Sequence, residues 1–238
     1  MIILSFPRSG RTWLIRMLAN YLSYYNANKH FSKVGKDLLM APLTDINNII
    51  PSSFVIGYHN ILLEELEIIQ HKYNMNTVYL LRDPRDCLTS LYYYNTTYYQ
   101  NRAIRRVFRK LKYNFDMKYF IRSNLREWRK HVDDYLHLSD KTIKYEDLNV
   151  DCYGTLYNLL KDEVSEIDRS KLRDVVEENK FDNITSRKKG EENKKNFYRK
   201  GIIGDWYNHF NQPKYKNIIK DEVGSYLIEH GYENDINW

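Results

Sequence analysis

The chain has little of several things that would classify it quickly. It holds two cysteines, Cys87 and Cys152, in 238 residues. That is too few for a disulfide framework, and the spacing does not suit metal ligands, so a reducing compartment and no metal are expected. No apolar stretch reaches the ~18 residues that span a bilayer, and no secretory leader is evident, so a cytoplasmic chain without a membrane span is expected. Without an export signal, the sequons Asn95-Thr96-Thr97 and Asn183-Ile184-Thr185 are chance matches in an Asn-rich sequence. Glycine is scarce, and the G-x-x-x-x-G-K-S/T phosphate loop is missing, which argues against an ordinary ATPase or GTPase.

What is present suits one sizeable core. With 42% hydrophobic and 15% aromatic residues, a single domain over residues 1–238 is expected. The net charge of +6 points to anionic ligands without choosing among nucleotide, nucleic acid and membrane. Its placement is uneven. Residues 102–130 carry eleven Lys/Arg against two Asp/Glu, a local excess larger than that of the whole chain. Within that stretch Ile104, Val107, Phe108, Leu111 and Phe115 are spaced as the buried face of a helix, leaving Arg102, Arg105, Arg106, Arg109 and Lys112 outside. Such a face is either solvated or a surface for an anionic acceptor, a membrane or nucleic acid.

The run from Ile2 to Phe6 reads as one buried strand, stopped by Pro7 and Gly10. Trp13, Leu14, Met17, Leu18, Tyr21 and Leu22 then recur at helical spacing, so a helix starts near Thr12. A helix start attracts anions, because its first amides lack partners and the dipole is positive there. Arg8, Ser9, Arg11 and Thr12 add side-chain donors at that point. After an irregular connection over 26–53, residues 53–59 form a second strand with His59 at its carboxyl end, the edge where open α/β sheets place ligands. A helix spans Ile61 to Tyr73, and residues 77–82 form a third strand. Arg82 stands at the tip of that strand and Ser90 about two turns into the next helix, so both can converge on one phosphate.

Tyr92, Tyr93, Tyr94, Tyr98 and Tyr99 then form a dense aromatic cluster, divided between core and pocket. Further helices are expected over 125–138, 151–162 and 168–180, with a short strand and turn over 142–148. Residues 181–201 have the composition of a mobile loop. At its end Arg199 and Lys200 offer charge-assisted bonds to a phosphate, and Gly201 lets the backbone approach it.

Three segments together resemble sulfotransferases that use 3′-phosphoadenosine 5′-phosphosulfate (PAPS) and release 3′-phosphoadenosine 5′-phosphate (PAP). Pro7-Arg8-Ser9-Gly10-Arg11-Thr12-Trp13-Leu14 is similar to the loop for the 5′-phosphosulfate. Arg82, Asp83, Pro84, Asp86 and Ser90 match the 3′-phosphate motif, and residues 199–206 (R-K-G-I-I-G-D-W) are similar to the segment that closes the nucleotide site. Tyr145-Glu146-Asp147 resembles the family's Tyr-Glu-Asp strand end. The resemblance implies an α/β fold, a P-loop-like central parallel sheet with helices on both faces. It implies that Arg8, Ser9, Gly10, Arg11 and Thr12 hold the 5′-phosphosulfate. Trp13, Tyr145 and Phe181 would enclose the adenine, and Arg82, Ser90, Arg199, Lys200 and Gly201 would hold the 3′-phosphate.

His59 falls where relatives carry a general base, and Arg8 where many carry a catalytic Lys. Arg8 can bind a leaving phosphate in a forked geometry but cannot donate a proton. Arg11 replaces a Thr of the loop, and the Lys that precedes the base in relatives is absent here. The implied reaction is in-line transfer of a sulfonyl group from PAPS to a hydroxyl or amine of an acceptor, expected to be anionic because of residues 102–130. A PAP-binding protein without turnover and a basic nucleic-acid-binding protein are the alternatives. Residues 207–216 lack the leading Lys and closing Glu of the family's dimer segment, so a monomer is expected.

Overall fold

Ile2, Ile3 and Leu4 are buried, and they form β1 (Ile2–Leu4), the middle strand of the sheet. A computed structural model of the chain describes residues 1–23, 25–26, 54–98 and 116–238. The remaining strands are β2 (Tyr25–Asn26), β3 (Phe54–Tyr58), β4 (Thr77–Leu81) and β5 (Lys141–Lys144). All pair in parallel, in the order β2-β3-β1-β4-β5. Leu4 stands opposite Tyr58 on one side and Tyr79 on the other, so the three inner strands end at one edge.

Two compact units divide the chain, each made of two separated stretches: Met1–Leu81 with Asp134–Ile184, and Arg82–Asp133 with Thr185–Trp238. The first contains the sheet. Because side chains alternate along a strand, Ile3, Val55, Val78 and Leu80 share a face. They join Leu14, Leu18 and Tyr21 of α1 (Arg11–Leu22), Leu159 of a helix at Cys152–Leu160, and Leu172 of a helix at Arg169–Glu178 in one core. Between β3 and β4, α2 (Leu63–Tyr73) buries Leu66 and Ile69. Ahead of it the Tyr135 hydroxyl donates to the Ile61 carbonyl at 2.8 Å and accepts from the Ile61 amide at 3.2 Å.

In the second unit α3 (Pro84–Tyr93) runs on into a π-helical turn, Tyr94–Tyr98. Then α4 (Met117–Tyr135) buries Phe120, Ile121, Leu125 and Trp128. It begins eight residues before the helix expected from Leu125, because Phe120 and Ile121 extend its apolar stripe. Its basic face is not simply solvated. Arg122 and Arg126 donate to the Glu222 carboxylate at 3.0 and 2.9 Å, and Arg129 to the Glu222 carbonyl at 3.4 Å. The rest of the basic stretch, residues 102–115 with Arg105, Arg106 and Arg109, lies outside the described residues, as does the expected connection from residue 27 to 53.

Two other expectations differ from what is found. Tyr145 does not prolong a strand but opens α5 (Tyr145–Val150), where Glu146 and Asp147 suit the positive end of a helix. For the numbering that follows, α6 is Cys152–Leu160 and α7 is Arg169–Glu178. The charged stretch after them begins with α8 (Phe181–Thr185), and its remainder is cross-linked by Arg187, which donates to the carbonyls of Glu191, Tyr198 and Arg199. The chain then passes through α9 (Tyr207–Phe210) and α10 (Pro213–Glu229). Among the described residues no helix is long and apolar enough to cross a membrane.

Gly57 permits α1 to lie against β3. A Cβ there would stand 2.5 Å from Ile15 Cδ1 and 2.6 Å from Arg11 Cδ, so Gly57→Ala must push the helix or the arginine stem aside. Overpacking of this kind costs about 1–3 kcal/mol, and thermal unfolding should shift down by several degrees. An unchanged Tm would mean that α1 yields freely.

Candidate functional site

The expected site residues divide between the two units. In the first, the loop after β1 turns through a positive φ at Arg8 (72°) and at Gly10 (96°). Glycine is required at the second position twice over, since a Cβ would also stand 2.6 Å from the Tyr145 ring. Gly10 caps α1 without a side chain, and its carbonyl takes the amides of Trp13 and Leu14 at 3.0 and 3.2 Å. The amides of Arg11 and Thr12 precede any helical acceptor and open the helix. Ser9 is buried, with its amide donating to the Phe6 carbonyl at 3.3 Å, while Thr12 is exposed.

Arg11 lies along β3. Its Nη1 is buried and has no hydrogen-bond partner, and burial pulls the guanidinium pKa down to about 10, partly opposed by Tyr58. The Trp13 indole donates to the Asn179 carbonyl at 2.8 Å and meets Tyr145 edge-on, with centroids 6.2 Å apart. Phe181 starts α8 two residues after Asn179 and is half-buried. Thus Gly10, Trp13 and Tyr145 are brought together, and Phe181 follows the residue that anchors Trp13.

His59 follows β3 directly. Its Nδ1 lies 2.8 Å from the Ser5 carbonyl oxygen. The parallel pairing of Leu4 with Tyr58 places these two residues side by side, and the Ser5 amide donates to the Tyr58 carbonyl at 3.3 Å. A carbonyl can only accept, so Nδ1 carries the proton and Nε2 is the basic nitrogen of the neutral ring.

The second unit holds the other group. Arg82 is largely buried, with Nη2 3.9 Å from Asp86 Oδ2. Ser90 is half-buried on α3. Asp86 accepts the amides of Gly204 at 2.7 Å and Trp206 at 3.0 Å, which ties α3 to the residues after Gly201. Burial raises its pKa, against the pull of Arg82 and those amides. Arg199 and Lys200 both reach the Asp205 carboxylate, Lys200 at 2.6 Å, and Arg199 also pairs with Glu192 and lies 4.6 Å over the Tyr93 ring. Burial disfavours charge on Asp205, but hydrogen bonds from His209, Lys200, Arg199 and Asn208 outweigh it and hold the carboxyl far below its ordinary range. Gly201 sits beside them with a φ of 71°.

Asp86 and Asp205 lie inside the motifs that sequence reasoning used, yet neither had a role there; their signal was a carboxylate in a segment otherwise suited to anions. Asn179 carried no signal, since it acts through its main-chain carbonyl. Chemically, one group offers amides, a buried guanidinium, an aromatic pair and an oriented imidazole. The other offers three cations held by internal carboxylates.

A family model described as the sulfotransferase domain matches residues 1–223. Sulfotransferase 2A6 of Mus musculus is 25% identical over 234 residues, covering 88% of this chain and 78% of that protein. Sulfotransferase 2A1 of Macaca fascicularis is 22% identical over 236 residues, covering 87% and 77%. Among solved structures, mouse sulfotransferase SULT7A1 complexed with PAP superposes with a TM-score of 0.59 at 17% identity, covering 98% of this chain and 88% of that one. Retinol dehydratase in complex with androsterone and inactive cofactor PAP gives 0.58 at 17%, covering 93% and 80%. At that identity the structural likeness speaks for the fold, a parallel α/β sheet flanked by helices. With the sequence match running from β1 into α10, the chain belongs to the sulfotransferase family, enzymes that take a sulfonyl group from PAPS and leave PAP.

Proposed function

We propose that the chain works as one sulfotransferase domain and transfers the sulfonyl group of PAPS to a hydroxyl or amine of an acceptor, with His59 as general base. The observation that carries the reading is the 2.8 Å contact between His59 Nδ1 and the Ser5 carbonyl. It leaves Nε2 as the nitrogen able to take the acceptor's proton, at the sheet edge where ligands of such folds bind. PAPS, when bound, supplies the sulfonyl group and a leaving phosphate.

The residues around Gly10 suit its anionic end. Arg8, Ser9, Gly10, Arg11 and Thr12 combine a helix start, a turn in which a Cβ would meet Tyr145, and a buried guanidinium nitrogen without a protein partner. Arg8 stabilises charge on the departing phosphate and leaves proton transfer to His59. Trp13, Tyr145 and Phe181 hold the adenine, and Arg82, Ser90, Arg199, Lys200 and Gly201 hold the 3′-phosphate. Catalysis rests on positioning and charge stabilisation, as in phosphoryl transfer. The acceptor is anionic, a reading supported by the excess of Lys and Arg over residues 102–130, and the protein acts as a cytoplasmic monomer, the oligomeric state being argued from the missing Lys and Glu of the dimer segment at 207–216.

Three measurements test this. Arg82→Ala should weaken PAP binding about tenfold to a hundredfold by calorimetry, the loss of one charge-assisted contact of about 1.5–3 kcal/mol; unchanged affinity removes Arg82 from the site. His59→Ala should lower the rate of sulfonyl transfer by about 10² to 10⁴ while PAP still binds, and full turnover in the mutant would move the base elsewhere. With PAPS saturating, replacing Arg105, Arg106 and Arg109 by Gln should lower kcat/KM for an anionic acceptor most at low salt, where screening is weakest. A salt-independent, unchanged kcat/KM would return that stretch to a solvated face.

A further inference from the structure

Arg85 is a charged residue with almost no contact with water, at 2% exposure. Taking a guanidinium out of solvent is costly unless its donors are matched, and here they are matched closely. Nε lies 3.0 and 3.1 Å from the two oxygens of Asp83, Nη2 lies 2.7 Å from Asp83 Oδ2, and Nη1 pairs with Glu233. Two indoles lie over the charge, Trp206 at 4.1 Å and Trp238 at 4.8 Å from the guanidinium carbon, and they meet each other edge-on at 5.9 Å.

What this arrangement touches gives it meaning. Asp83 is the neighbour of Arg82 and caps α3 by accepting the Arg85 amide at 2.8 Å. Asp86, one residue beyond Arg85, receives the amides of Gly204 and Trp206. Arg85 therefore stands between the strand-tip segment that carries Arg82 and the turn that follows Arg199, Lys200 and Gly201. Glu233 and Trp238, which complete its surroundings, lie beyond the 223 residues that match the family.

The geometry points to Glu233 and Trp238 as positioning residues for the 3′-phosphate site. By holding Arg85, they fix the Asp83 cap and the Trp206 turn, and through these the two segments that bear the phosphate-binding cations. The inference rests on the assignment of Arg82, Arg199 and Lys200 to the 3′-phosphate. A site tuned in this way needs its donors held to within about 0.5 Å. Removing the Glu233 side-chain acceptor leaves a buried Nη1 unmatched, which loosens the hold of Arg85 on the Asp83 cap and the Trp206 turn.

The test compares two ligands on the full chain by calorimetry: PAP, and adenosine 5′-phosphate, which lacks the 3′-phosphate. Glu233→Ala and Trp238→Ala should lower the PAP-to-adenosine-5′-phosphate affinity ratio by about fivefold to tenfold, with adenosine 5′-phosphate binding little changed, and Glu233→Gln and Trp238→Phe should restore most of the ratio. A purely structural role would lower Tm and weaken both ligands together, leaving the ratio intact, and that result overturns the inference. Arg82→Ala separates the two levels of argument. If it lowers the ratio and the Glu233 and Trp238 variants do not, the positioning role is wrong and the site stands. If Arg82→Ala itself leaves the ratio unchanged, the 3′-phosphate assignment fails and the positioning role falls with it.

Discussion

Charge withdrawn from water has to be matched, and in the second unit this requirement decides where the chain goes. Asp205, at 2% side-chain exposure, gathers Arg199 and Lys200 from one side and Asn208 and His209 from the following turn. Asp86 gathers two main-chain amides, and Glu222 gathers the arginines of α4. Asp86 and Glu222 join stretches about a hundred residues apart and act as tertiary restraints in a unit where the sheet is not available to supply one, whereas Asp205 fixes the local turn that carries Arg199 and Lys200. The energetic asymmetry is general: such a pair adds little over an apolar contact, but breaking one side of it leaves a stranded charge.

Much of the first unit was legible in the sequence because its signals are local. The apolar run at Ile2–Leu4 stops at Pro7 and Gly10, and helical spacing begins directly after, so β1, its loop and α1 follow from a dozen residues. The same holds for β3 ending before His59 and β4 ending before Arg82. The helix at Tyr145 was harder, since β-branched residues at 142 and 143 precede a Tyr-Glu-Asp whose acidic pair suits either a turn or a helix start. The early beginning of α4 was hidden because a strongly basic surface obscured the apolar stripe beneath it.

Candidate site residues divide the same way. Candidates that belong to compact patterns are picked out by the sequence, and of these Gly10, Trp13 and Tyr145 lie together. Residues whose role depends on distant partners are not. Arg85 looks like an ordinary solvent-facing charge until Glu233, 148 positions along the chain, is seen beside it. Arg122, Arg126 and Arg129 look like a free basic face until Glu222 is placed among them. A one-dimensional count of charge records the excess but not which members are already occupied.

The acceptor of the His59 ring proton is a main-chain oxygen, not a side chain. Substitution at position 5 can change the side chain as it likes without deleting that carbonyl, so the tautomer of the ring is insulated from genetic drift at its own partner position. What it depends on is the pairing of β1 with β3, where a slip by one residue would turn every side chain of the strand to the opposite face. The orientation of the imidazole is in that sense inherited from topology, and it survives for as long as the two central strands keep their register.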